Sequence, residues 1–93
     1  MKNRRLMVIE YHNDADVERL KTILRMCCVP FVMFKEFEFI GGGALWKIFI
    51  DKGRLTWKQI METVNDVRPV RFRYRNDCYI ENGVLCTETI IIR

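Results

Sequence analysis

Apolar and arginine residues alternate without a break over Val70-Arg71-Phe72-Arg73-Tyr74-Arg75. A period of two puts three apolar side chains on one face of a sheet and three guanidinium groups on the other. Other segments show equally plain periods. Leu6 to Tyr11 is a short apolar run followed by a polar turn and reads as a strand. Asn13 then caps a helix, with Asp16 three residues on and Val17, Leu20, Leu24 and Cys27 at helical spacing. Asp14, Asp16 and Glu18 crowd its first turn, while Arg19, Lys21 and Arg25 follow, an order that suits the helix dipole. Pro30 ends the segment, because the residue before a proline avoids helical angles.

Phe31 to Ile40 is a long aromatic-rich strand, Gly41-Gly42-Gly43 breaks it, and Ala44 to Asp51 returns as its hairpin partner. Asp51-Lys52-Gly53 is a turn, and Thr56 with Gln59 has the spacing of a capping box. Trp57, Ile60, Val64 and Val67 form the apolar stripe of a second helix, which Arg68-Pro69 closes. After the arginine strand, a hairpin turns at Asn82-Gly83 and runs out through Thr87 to Ile92. The order β-α-β-β-α-β plus a C-terminal β-hairpin predicts an α+β, ferredoxin-like sandwich. Its antiparallel sheet has the first and third strands central, the second and fourth outside, and both helices on one face.

On that arrangement the charges mark the open face. Arg71, Arg73 and Arg75 point outward on the fourth strand, and Lys47 with Leu45 and Phe49 on the third. Glu36 and Glu38 with Phe34 do so on the second, and Glu10 with Val8 on the first. A mixed-sign face with apolar residues at its centre suits a protein partner. The topology is shared with RNA-recognition-motif domains, which stack bases on aromatics of the central strands, a part that Phe49 can play. The chain departs from that family in two places. Its third strand reads Ala44-Leu45-Trp46-Lys47-Ile48-Phe49-Ile50, without the glycine–aromatic series, and its first strand offers Val8 and Glu10 in place of an aromatic. Glu10, Glu36 and Glu38 would also repel phosphates. A third arrangement has the C-terminal hairpin folded over the open face, burying Leu45, Phe49 and Phe34.

The totals narrow these readings. Ninety-three residues make one domain, residues 1–93, with room for one core but not for a deep enclosed active site. Apolar residues at 49% and charged residues at 30% argue against disorder, and a net charge of +4 permits acidic partners without demanding them. No apolar run is long enough to span a membrane, and the basic N-terminus is followed by too short an apolar stretch for a signal peptide, so the expected address is cytoplasmic. The four cysteines have no Cys-x-x-Cys spacing, and pairing across an Asn82-Gly83 turn sends Cys78 and Cys86 to opposite faces, so free thiols and no metal are expected.

The chain contains no serine, which excludes a serine nucleophile, and Asp14, Asp16 and His12 are explained by a helix start and a loop. Gly41-Gly42-Gly43 lacks the spacing of a phosphate loop. The expected function is therefore a small non-enzymatic, cofactor-free binding module, a protein-binding regulator or inhibitor working through the mixed-charge face. In type alone it resembles small phage-encoded inhibitors and accessory regulators. Alternatives are single-stranded RNA or DNA binding through Arg71, Arg73, Arg75 and Phe49, and a homodimer formed through an edge strand or the hairpin.

Overall fold

A computed structural model describes residues 5–67 and 69–87. Strand β1 (Leu6–Tyr11) leads into helix α1 (Asp14–Met26), then β2 (Phe31–Glu38) and β3 (Ala44–Ile50). Helix α2 (Trp57–Asn65), β4 (Arg71–Arg75), β5 (Cys78–Glu81) and β6 (Val84–Thr87) follow. The expected continuation of the last strand through residues 88–92 lies outside the described residues.

Local chemistry sets the helix ends. The Asn13 side chain accepts from the Ala15 and Asp16 amides at 2.8 and 3.4 Å, offsetting donors that a first helical turn leaves unpaired. At the other end of α1, the Cys28 amide donates to the Arg25 carbonyl and the Val29 amide to the Leu24 carbonyl. Cys28 takes the left-handed φ of 55° that this Schellman closure needs and that glycine usually supplies. In α2 the capping box is complete: Gln59 N–H donates to Thr56 Oγ1 at 3.2 Å, and Thr56 N–H to Gln59 Oε1 at 2.9 Å.

The four-stranded sheet has the order β2-β3-β1-β4, with every neighbouring pair antiparallel. Strands β5 and β6 form a separate two-stranded sheet. Both helices pack on one face, over a core of Met7, Ile9 and Tyr11 from β1, Ile48 and Ile50 from β3, Leu20 and Leu24 from α1, and Ile60 and Val64 from α2. Trp46 joins this face, and its indole N–H donates to Asp14 Oδ1 at 2.6 Å, tying the start of α1 to β3. Cys27 departs from the expected apolar stripe. As the C-cap of α1 it has left the helical face and is exposed.

The other face has its own smaller core. Leu6, Val8 and Phe49 pack against Cys78, with Ile80 and Leu85 alongside. The β5–β6 hairpin therefore folds over the sheet rather than extending it. Its tip residue Gly83 lines a groove with Val32, so the hairpin crosses from the β4 side to the β2 side. The turn is the expected one: Asn82 and Gly83 have φ of 54° and 75°, and Tyr79 stands opposite Cys86 and Cys78 opposite Thr87.

Candidate functional site

Register decides which side chains reach solvent on the hairpin-covered face. Leu6, Val8 and Glu10 pair with Arg75, Arg73 and Arg71, and Val8 and Glu10 pair with Phe49 and Lys47. The arginines thus lie on the face away from the helices, as the alternation requires. Two of the three are engaged by carboxylates. Arg75 donates to both oxygens of Asp77, at 2.9 and 2.6 Å, and this fork pulls the Asp77 carboxyl below its usual range while raising the Arg75 guanidinium. Arg71 Nε lies 3.9 Å from Glu10 Oε2. Arg73 is exposed and has no carboxylate partner among the described residues.

The strand's apolar side is less enclosed than its pattern implies. Tyr74 is half-buried, under Arg5 at 4.4 Å and edge-on to Trp57 at 5.2 Å. Phe72 stays 46% exposed and Val70 59%.

Three expectations for the face need correction. Phe49 does not contact solvent: it is 3% exposed beneath the hairpin, so neither a base nor a partner's side chain reaches it. Leu45 is only half-buried and Phe34 remains exposed, so the hairpin does not seal the whole face. Glu38 does not lie beside Glu36. A register shift between Lys35 and Phe37 inserts one extra residue, so that Phe37 pairs with Leu45 and Glu38 with Ala44. The bulge sends Glu38 to the helix side, where it pairs with Lys35 at 2.8 Å and holds the Lys35 ammonium above its ordinary pKa. Glu36 stays on the open side and pairs with Lys47 at 3.3 Å.

The same bulge creates the most distinctive surface, which the alternation alone did not reveal. Phe37 takes the outward position that Glu38 vacates. It shares the open face with Phe34, which stacks on Phe49 at 5.9 Å, and it meets Phe39 edge-on at 5.1 Å. Phe39 in turn leans on His12 at 5.3 Å. Beyond it Ile40 is fully exposed. Gly41, Gly42 and Gly43 close this hairpin with φ of 96°, 109° and 87°, angles that only glycine adopts without strain. Phe34, Phe37, Phe39 and Ile40 thus form one exposed apolar stretch at the end of the β2–β3 hairpin, flanked by two Lys–Glu pairs.

Other chemistry-bearing groups are dispersed. Among the described residues no three of His, Cys, Asp and Glu gather where they could hold a metal ion. All four cysteines are unpaired, and burial pushes the Cys78 thiol upward. The Tyr11 hydroxyl is buried without a hydrogen-bond partner, and desolvation raises its pKa far above the ordinary phenol value. Among the described residues no helix is long and apolar enough to cross a membrane. A scan against protein-family models, a search of curated proteins and a search of solved structures each return no match to this chain.

Proposed function

We propose that this chain is a non-enzymatic, cytoplasmic protein-binding module, and that a protein partner docks on the exposed end of the β2–β3 hairpin. The observation that carries the reading is the run Phe34, Phe37, Phe39 and Ile40, three aromatics and an aliphatic side chain left in water beside paired charges of both signs. Water-exposed aromatics of this density are costly unless they serve an interface, and an apolar centre within a mixed-charge rim is the usual anatomy of one. The triple-glycine tip lets the loop adapt to a partner's shape. A regulator or inhibitor works in this way, by occupying a surface on another macromolecule.

We also read the architecture as ferredoxin-like. The central position of β1 and β3, the outer position of β2 and β4, and both helices on one face support that reading. Single-stranded nucleic-acid binding draws less support. Its stacking residue Phe49 is covered, and Arg71 and Arg75 already carry carboxylate neighbours.

The test is capture from lysate by the wild type, by Phe37→Ala/Phe39→Ala and by Arg71→Glu/Arg73→Glu/Arg75→Glu, with circular dichroism to confirm folding. The captured protein is then titrated into each purified variant by calorimetry. Loss of binding in the phenylalanine variant and retention in the arginine variant is the expected result. Equal binding by all three removes both surfaces from consideration. Steeply salt-dependent binding to a random single-stranded RNA pool, lost in the arginine variant, would replace this reading with the nucleic-acid one.

A further inference from the structure

We infer that a second copy of this chain pairs with the outer edge of β2, antiparallel about a two-fold axis near Met33, joining two four-stranded sheets into one. β2 ends the sheet order and, among the described residues, has a neighbour on one side only. Its two halves differ as edges. The second half carries the bulge and the charges Lys35, Glu36 and Glu38, all devices that discourage another strand from adding. The first half, Phe31-Val32-Met33-Phe34, has none of them. It is regular, half-buried over Phe31–Met33, uncharged and free of proline and glycine. Such an edge is a template for a further strand.

The surroundings favour a copy of the same chain as that strand. A groove of about 350 Å³ runs along this half of β2; α1 forms its far wall through Glu18, Lys21 and Arg25, and the hairpin tip at Gly83 borders it on the other face. Glu18 and Arg25 are two turns apart on one helical stripe, opposite in sign, and neither has a charged partner among the described residues. A two-fold axis reverses the direction of α1, so Glu18 of one copy meets Arg25 of the other, twice over, while the two Lys21 side chains lie nearest the axis and extend along the groove into water. An isologous interface requires this self-complementarity, whereas a strand from an unrelated protein would need to bring its own matching pair. In the strands, the axis at Met33 sets Val32 against Phe34 on one face.

Sedimentation equilibrium under reducing conditions reads the outcome directly. The wild type is expected to approach twice the single-chain mass of 11.2 kDa with rising concentration. Glu18→Arg or Arg25→Glu alone places like charges at both symmetry-related contacts and should weaken association roughly tenfold or more. The double variant Glu18→Arg/Arg25→Glu restores the pairing and the dimer. Both positions are exposed on α1, so folding is preserved and circular dichroism checks it. A mass of 11.2 kDa at every concentration, or a dimer indifferent to the single reversals, overturns the inference. The partner-docking reading fails independently: Phe37→Ala/Phe39→Ala tests capture without touching α1, and a monomer that still captures its partner leaves that reading intact.

Discussion

The two faces of the central sheet are covered in different ways. One lies under two capped helices and gathers twelve buried residues into a continuous core. The other lies under a two-stranded hairpin that, among the described residues, buries Leu6, Val8, Phe49 and Cys78. A lone two-stranded hairpin is marginal in water, so β5–β6 owes its order to this small contact and to the Arg75–Asp77 fork at its entrance. Stability and display are thus divided between the faces. The helix side holds the fold together, while the hairpin side leaves its margins open and carries exposed arginines at one edge and exposed aromatics at the other.

Paired truncations give the largest expected difference. Leu20→Ala removes a fully buried side chain from the helix core and should cost about 3 kcal/mol in urea unfolding. Leu85→Ala, half-buried in the hairpin, should cost about 1 kcal/mol and act locally. Amide exchange over residues 78–87 should quicken while residues 6–11 and 44–50 keep their protection. Equal costs, or a Leu85→Ala variant whose whole sheet loses protection, would show that the hairpin is part of one cooperative unit and would erase the division.

A smaller effect of opposite sign is expected inside the helix core. Tyr11 is 1% exposed, and its hydroxyl finds no hydrogen-bond partner. Burying a hydroxyl without a partner costs free energy that its ring burial must offset. Tyr11→Phe keeps the ring and should raise stability by about 1 kcal/mol, measured as a higher urea midpoint at unchanged slope. A loss of stability would show that the hydroxyl holds a water that supports the core, making the helix side less dry than its residues suggest.

Much of this asymmetry was written in the periods of the chain. The arginine strand, the capping box at Thr56 and Gln59, the Asn13 cap and the Asn82-Gly83 turn each rest on local rules and need no knowledge of the partner elements. The bulge between Lys35 and Phe37 was missed although it left a trace: the polar doublet Lys35-Glu36 between Phe34 and Phe37 breaks the alternation, and carrying an unbroken period of two through it put Glu38 on the face of Phe34 and Glu36. That single residue moved Glu38 to the helix side and Phe37 into water. The fate of the hairpin was also beyond local reading. Cys78, Ile80 and Leu85 share one of its faces, which marks an apolar side, but not whether that side continues the sheet or covers it. The exposure of Phe72 on the edge strand is a matter of packing that alternation cannot report.

The smallest expected effect tests what holds the hairpin in place. Hydrogen bonds from Arg75 depress the Asp77 carboxyl below its unfolded value, which is about 3.9 for an aspartate. A depressed carboxyl contributes its stability in full above the unfolded value and loses it as pH falls through the folded one. The contribution should therefore be present in full at neutral pH and fade progressively as the pH falls below about 4. The pair is largely exposed and screened, so the effect belongs to the hairpin alone. In the wild type, exchange over residues 78–87, corrected for its intrinsic pH dependence, should rise in that acid window. Asp77→Asn should start at the looser level at neutral pH and show no further rise there. Arg75→Lys keeps the charge but cannot form the two-pronged contact, and should fall between them. An acid profile unchanged in Asp77→Asn would assign the hairpin's hold to its apolar contacts with Leu6, Val8 and Phe49 and leave the fork as surface decoration.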